Sequence, residues 1–122
     1  MTKGLFVTAT GTDVGKTYVS GLLLGALLEK DARASYYKAA MSGNVRDGEG
    51  QLLAGDALEV KRLSGSEQSV ESMCPYVLEE ALSPHLAARN EGREIKLDVV
   101  KTGYHALEGT SDFILMEGSG GI

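Results

Sequence analysis

The sequence predicts an α/β fold in which a parallel sheet is flanked by helices. Short apolar runs at residues 4–7 and 113–116 have the length of strands, and they alternate with longer stretches whose apolar residues recur at helical spacing. The run at 113–116 has no polar interruption, which is typical of a strand buried on both faces of a parallel sheet. We therefore expect strands and helices to alternate along the chain, with crossover connections between parallel strands.

The first strand leads into a glycine- and threonine-rich turn, residues 7–17, with the sequence Val-Thr-Ala-Thr-Gly-Thr-Asp-Val-Gly-Lys-Thr. Gly11 and Gly15 permit backbone angles that side chains would forbid, so successive N–H groups can point at an anion. Lys16 would bring positive charge to the outer phosphates of a nucleotide, and Thr17 would offer a hydroxyl to magnesium. The turn therefore predicts a site like that of P-loop NTPases. The alternative is an ordinary strand-to-helix turn that happens to hold Lys16.

A helix is predicted at residues 17–30, because apolar side chains there share one helical face that should pack against the sheet: Val19, Leu22, Leu23, Ala26 and Leu27. Residues 34–38 follow at the distance expected for the second strand of a βαβ unit. Lys38 ends that strand, at the edge where open parallel sheets bind ligands. We expect it to share a cleft with the phosphate loop.

The remaining elements are predicted from caps, turns and apolar spacing. They are a loop at 41–51, a helix at 55–63, a weak extended segment at 70–78, a helix started by Ser83 and Pro84, and a helix at 97–107. Asp56 falls in the first turn of the helix at 55–63, where an acid complements the helix dipole. Glu117 follows the last strand directly.

Composition narrows the class of protein. With 122 residues, 43% of them hydrophobic, the chain has the size of a single domain, residues 1–122. A net charge of −5 argues against a nucleic-acid partner, and no apolar tract approaches the roughly 20 residues of a membrane span. The single cysteine, Cys74, excludes an internal disulfide and is expected to be a small buried apolar residue. These features predict a cytoplasmic protein without a membrane partner.

Three predicted strands end at the same edge of one sheet, at Lys16 and Thr17, at Lys38 and at Glu117. Magnesium prefers hard oxygen ligands, so Thr17, a carboxylate such as Glu117 or Asp56, and the phosphates themselves could form its shell. Each residue also has a plainer interpretation. Asp56 could serve only the helix dipole, Glu117 could be a solvated strand end, and Lys38 could be a surface lysine.

These residues resemble dethiobiotin synthetase, the ATP-dependent carboxylase that closes the ureido ring in biotin synthesis. The resemblance runs through five blocks: residues 7–17, Tyr36-Tyr37-Lys38 with Ser42-Gly43, Gly55-Asp56-Ala57, Ser83-Pro84-His85, and Glu117-Gly118-Ser119-Gly120-Gly121. It implies a C–N-bond-forming ligase that converts 7,8-diaminononanoate, carbon dioxide and ATP into dethiobiotin, ADP and phosphate, with Mg²⁺ as cofactor. It also implies a homodimer.

The resemblance further implies a role for each matched residue. ATP would be bound by Thr12, Asp13, Val14, Gly15, Lys16 and Thr17, and magnesium by Thr17, Asp56 and Glu117. Lys38, Lys16 and Thr12 would act in catalysis, and Ser42, Lys38 and Gly120 would contact the diamine or its carbamate. No side-chain nucleophile is needed, because phosphoryl transfer depends on positioning and neutralised charge.

The sequence departs from that family at Ala9 and Gly11 in the loop and at Ala39, where the family usually has proline. Thr10 also stands where the general P-loop pattern has glycine. Members of the family are longer, so we expect either a fragment or a truncated relative that stops after the strand ending at Glu117. The alternatives are a P-loop switch or partitioning ATPase, a glutamine-dependent amidotransferase, and an inactive nucleotide-binding fragment.

Overall fold

A computed structural model describes residues 2–8, 15–80 and 84–118 of the chain. Its elements in order are β1 (Lys3–Val7), α1 (Lys16–Glu29), β2 (Ala34–Tyr37), β3 (Ala40–Met41), α2 (Gly55–Ser64), α3 (Val70–Met73), β4 (Tyr76–Val77), α4 (Pro84–Asn90), α5 (Leu97–Glu108) and β5 (Phe113–Glu117). Among these described helices, none is long and apolar enough to cross a membrane. The predicted α/β fold, a parallel sheet flanked by helices, is confirmed.

The main sheet has three parallel strands in the order β1-β5-β2. The strand that is last in sequence therefore lies in the centre, and the crossover through α1 passes over it. Leu115 of β5 stands opposite Leu5 of β1 and Tyr36 of β2, and both Ile114 and Leu115 are fully buried. This agrees with the prediction that the uninterrupted apolar run is covered on both faces.

The face of the sheet that contains Tyr36 and Leu115 packs against α1 and α2 in one apolar cluster with Leu24 and Val60. The opposite face belongs to a second cluster, in which Tyr37 and Ile114 meet residues of α5. Successive residues of a strand point to opposite faces, so the neighbouring tyrosines Tyr36 and Tyr37 serve different cores.

The predicted buried face of α1 is wrong. Val19, Leu22 and Leu23 are 45%, 48% and 44% exposed, whereas the buried positions are Lys16, Ser20, Gly21 and Leu24. The physical reason is close contact with α2: a Cβ on Gly21 would lie 2.6 Å from Leu63. A face of small residues lets the two helices approach, so apolar periodicity pointed to the wrong side.

The segment predicted as extended at 70–78 forms the short helix α3 and then β4, so its first half was wrong. Ser69 caps α3 by accepting a hydrogen bond from the Ser72 amide, a signal typical of a helix start. β4 pairs in parallel with β3 in a separate two-stranded sheet. Ser83, the predicted cap of α4, lies outside the described residues.

Candidate functional site

Gly15 marks the end of the phosphate loop that the structure describes. It stands at the N-cap of α1 with φ 82°, a left-handed conformation that glycine adopts without strain. Lys16 and Thr17 are the first two residues of α1, and Lys16 is buried, 6% exposed. The helix thus begins at the residues that the sequence assigned to phosphate and metal, with the positive end of its dipole at that end.

Lys38 follows β2 and is held by contacts at both its backbone and its side chain. Its amide donates to the Met73 carbonyl oxygen at 2.8 Å. Its ammonium nitrogen Nζ lies 2.5 Å from Asp56 Oδ2 and 2.9 Å from Glu117 Oε2. The ammonium group therefore bridges the two carboxylates predicted to bind the metal.

Asp56 reaches this position because Asn44 fixes the start of α2. The Asn44 side chain donates to the carbonyl oxygens of Met41 and Leu78 at 3.0 and 2.8 Å, and its Oδ1 accepts from the Gly55 amide at 3.0 Å. One buried amide thus joins β3, the residue after β4 and the first turn of α2. Asn44 is a supporting residue that the sequence analysis missed, since a lone asparagine in a loop has many other uses.

Glu117, at the end of β5, is the centre of the site. Its Oε2 accepts hydrogen bonds from Thr17 Oγ1 at 3.1 Å and from Lys38 Nζ at 2.9 Å. Its Oε1 accepts from the Tyr36 hydroxyl at 3.0 Å, and its side chain is only 1% exposed. A buried carboxylate needs partners of this kind, and here they come from α1, from β2 and from the residue after β2.

Electrostatics keep Lys38 charged. Burial alone would lower the pKa of Lys38, but the hydrogen bond to Asp56 and the charges of Glu117 and Asp56 outweigh it, so the pKa is raised. The cluster joins one lysine side chain to two acidic side chains, so acidic groups outnumber the basic one. A further cation therefore suits the cluster electrostatically.

The structure brings together Thr17, Lys38, Asp56 and Glu117, and it starts α1 at the neighbouring Lys16. Ser42 follows β3 directly and is half-buried. Thr12, Asp13, Val14 and Gly120 lie outside the described residues. The assigned roles stay predictions, but Lys38 and the proposed metal residues do meet at one edge of the sheet.

Tyr36 is the contact residue that sequence reasoning missed. The sequence names it only within the block Tyr36-Tyr37-Lys38, and nothing in its residue type reveals that its hydroxyl reaches Glu117. The signal available was its place two residues before Lys38, which puts both on the same face of the strand.

The chemistry of the donor set fits magnesium. Thr17 offers a hydroxyl and Asp56 and Glu117 offer carboxylates, all hard oxygen ligands. Within residues 2–8, 15–80 and 84–118, no three or more His, Cys, Asp or Glu residues cluster in a way that could hold a metal. A divalent ion would therefore depend on phosphate and water oxygens as well, which is the usual manner of magnesium in nucleotide sites.

Comparison with known proteins gives a consistent result. The model of the AAA domain family matches residues 3–122. Proteins named ATP-dependent dethiobiotin synthetase from Clostridium perfringens, Clostridium botulinum and Clostridium novyi are 45%, 42% and 43% identical over all 122 residues. The match covers 53%, 53% and 51% of those proteins, so the chain spans about half the length of the curated relatives it matches. The resemblance noted from the sequence is confirmed at the level of sequence identity.

Proposed function

The chain belongs to the AAA domain family, and we propose that it forms the ATP-binding part of a dethiobiotin synthetase. The observation that carries this proposal is the set of contacts around Glu117, where Thr17 and Lys38 meet one carboxylate at the sheet edge. A structural ion pair alone would not need a threonine from the first turn of the helix that follows a Gly-Lys-Thr sequence. The relatives' shared name supplies the substrate class.

In this proposal, ATP is bound by Thr12, Asp13, Val14, Gly15, Lys16 and Thr17. The oxygens of Thr17, Asp56 and Glu117 would hold Mg²⁺, which neutralises phosphate charge when it is bound. Lys38, Ser42, Thr12 and Gly120 would contact the diamine and its carbamate. The active form would be a homodimer. Because the protein would use ATP as a co-substrate, we propose that it acts in the cytoplasm.

The proposed reaction has three steps. One amine of 7,8-diaminononanoate attacks carbon dioxide, a C–N bond forms, and the nitrogen loses a proton to water, which leaves a carbamate. A carbamate oxygen attacks the γ-phosphorus of ATP and ADP leaves, giving a carbamic–phosphoric anhydride. The second amine then attacks the anhydride carbonyl carbon, loses its proton, and expels phosphate as the ring closes.

The residues of this chain would contribute charge and position. Because the pKa of Lys38 is raised, its side chain stays protonated near neutral pH and stabilises negative charge on the carbamate and the transferring phosphoryl group; it does not act as a base. Lys16 would neutralise the outer phosphates. Glu117 holds Lys38 and Thr17 at a fixed separation, so the groups that meet the nucleotide are oriented before it binds.

The test separates nucleotide binding from carbon fixation. Protein, Mg–ATP, labelled bicarbonate and the diamine are mixed, and acid-stable label and ADP are measured. The assay is run on the chain alone and on a chimaera in which residues 1–122 precede the part of the C. perfringens relative that they do not match. Label fixed only with the diamine supports the proposal, whereas ATP hydrolysis indifferent to the diamine favours a switch ATPase.

Lys38→Ala is the informative variant in this assay. Because Lys38 is assigned to the carbamate and Lys16 to the phosphates, we expect label fixation to fall by roughly 100-fold or more, while ATP affinity changes much less. Unchanged label fixation in Lys38→Ala would contradict the assigned role. Lys30, an exposed lysine at the C-terminal end of α1, provides the matched control as Lys30→Ala.

A further inference from the structure

The two oxygens of Glu117 have different partners. Oε2 accepts from Thr17 and Lys38, the groups assigned to metal and substrate. Oε1 accepts at 3.0 Å from the Tyr36 hydroxyl, which belongs to a side chain with no exposed surface. We propose that Tyr36 is a positioning residue that fixes the Glu117 carboxylate and so directs Oε2 toward the nucleotide and its metal ion. This inference rests on the proposed function for what Oε2 binds.

Tyr36 is itself held on both sides. Its ring lies in the apolar cluster between the sheet and the helices α1 and α2, with Leu24 and Leu115. Its backbone is clamped by one side chain: the Tyr36 amide donates to Gln68 Oε1 at 2.9 Å, and Gln68 Nε2 donates to the Tyr36 carbonyl at 3.0 Å. Gln68 thus makes the pair of hydrogen bonds that a neighbouring strand would make. These bonds fix the backbone from which the Tyr36 ring extends.

The hydroxyl acts only as a donor to the carboxylate. A carboxylate oxygen can only accept, so the Tyr36 phenol supplies the proton of this 3.0 Å hydrogen bond, from a side chain without exposed surface. A neutral donor on Oε1 leaves the charge of the carboxylate in place, unlike a second cation. It also restrains rotation about the terminal bond of Glu117, a torsion whose preference is intrinsically broad.

Loss of this hydroxyl would remove the donor that the described residues supply to Oε1 in a buried site. The carboxylate could then rotate and share both oxygens with the Lys38 ammonium, 2.9 Å from Oε2. A tighter lysine pair competes with a metal ion for the same oxygens. Partners that orient a metal ligand typically change metal affinity by about 10- to 100-fold when removed.

The chain offers a matched control in the next residue. Tyr37 is also buried, and its hydroxyl donates at 2.7 Å to the Val100 carbonyl oxygen, in the other core. Tyr36→Phe and Tyr37→Phe therefore remove the same atom from neighbouring positions of one strand. A purely structural role for Tyr36 predicts similar consequences for both variants.

The first measurement uses electron paramagnetic resonance to determine the affinity for Mn²⁺ in the presence of ATP. The affinity for ATP alone is measured separately in EDTA. We expect Tyr36→Phe to weaken Mn²⁺ binding by about 10-fold or more at unchanged ATP affinity, and Tyr37→Phe to change it by less than about 2-fold. Equal effects of the two variants, or no effect of Tyr36→Phe, would overturn the inference.

The second measurement needs no nucleotide and separates this inference from the proposed function. Crystal structures of the wild-type chain and of Tyr36→Phe would show whether the Glu117 carboxylate turns away from Thr17. A carboxylate that keeps its position in Tyr36→Phe overturns the inference even if Mg–ATP binds. If the wild-type chain binds no metal nucleotide, the proposed function is wrong. A Glu117 carboxylate that is displaced in Tyr36→Phe would still establish that Tyr36 positions Glu117.

Discussion

The site depends on a buried pair, Lys38 and Glu117, and on a partly exposed third partner, Asp56. Lys38 and Glu117 are 8% and 1% exposed at their side chains, whereas Asp56 keeps 37%. An isolated buried charge is costly, and removal of one member of a buried pair leaves the other uncompensated. The arrangement is therefore a constraint on stability as well as a feature of the proposed chemistry.

Lys38→Met tests this constraint. With the ammonium gone, Glu117 retains, among the described residues, the hydroxyls of Tyr36 and Thr17, so we expect the free energy of unfolding to fall by about 3 kcal/mol near neutral pH. Lys38→Met combined with Glu117→Gln should be more stable than Lys38→Met alone, because the uncompensated charge is removed. Urea unfolding of all variants measures both effects.

The exposed pair of Arg46 and Glu79, each 49% exposed at its side chain, supplies the control. Arg46→Met should lower the free energy of unfolding far less than Lys38→Met does, since surface pairs are screened by water. If the losses in unfolding free energy caused by Lys38→Met and by Glu117→Gln simply add in the double variant, the two residues do not act as a pair.

The sequence was sufficient to predict the positions of Lys38 and Glu117 at the edge of the sheet. Strand ends can be located from apolar runs, and both residues stand at such ends. Asp56 was correctly expected in the first turn of a helix. Its contact with Lys38 depends on how α2 packs beside the end of β2, which local sequence does not determine. Tyr36 could not be assigned, because its contact with Glu117 depends on the order β1-β5-β2, which places β5 beside β2.

Among the elements, α1 shows why apolar spacing misled. Its 14 residues are mostly apolar around the whole circumference, so spacing alone does not choose a face. The choice is made by shape: Gly21 and Gly25 allow α2 to approach, since a Cβ on Gly25 would lie 3.3 Å from the Ser64 Cα. Contacts between distant elements therefore decided a feature that local sequence left open.

Gly21→Ala tests the approach of the two helices. Alanine is the better helix former by about 1 kcal/mol, but its Cβ would lie 2.6 Å from Leu63 Cδ1 and 2.7 Å from Leu63 Cβ. Because Leu63 Cβ is tied to the backbone of α2, we expect a net loss of about 1–3 kcal/mol in the free energy of unfolding. Thermal or urea unfolding measures it.

Leu63→Ala provides the matched partner for that experiment. The combination of Gly21→Ala with Leu63→Ala should cost less than the sum of the two single changes, because the smaller side chain makes room for the new methyl group. A Gly21→Ala variant more stable than wild type would show that α1 and α2 are not in the close contact described here.

The whole molecule has one well-covered side and one open side. β5 and β2 are buried, whereas β1 is an edge strand of the described sheet with Leu5 and Phe6 40% and 61% exposed. α1 has exposed apolar positions of its own, Val19, Leu22 and Leu23 among them. Most helix and strand types could be predicted from the sequence, but which surfaces are covered could not, because burial depends on contacts between elements that are distant in the chain.

Buried titratable groups make the stability of the whole chain sensitive to alkaline pH. Burial raises the pKa of the Tyr37 phenol to about 12 and that of the Cys74 thiol to about 12. The pKa values of Tyr36 and Lys38 are also raised. In each case the folded state holds the proton more tightly than the unfolded state, so the associated stability is complete below the unfolded pKa and is lost as pH rises toward the folded pKa.

We therefore expect the free energy of unfolding to fall steadily from about pH 9 to about pH 12, starting where the unfolded thiol and phenols ionise. Urea unfolding at successive pH values gives the slope, and absorbance of tyrosinate follows the phenols. Tyr37→Phe removes one of these groups and should flatten the slope, whereas Arg46→Met, in an exposed pair, should only displace the curve. A free energy of unfolding that is constant over this range would contradict the burial of Tyr36, Tyr37 and Cys74, and with it the packing that holds Tyr36 against Glu117.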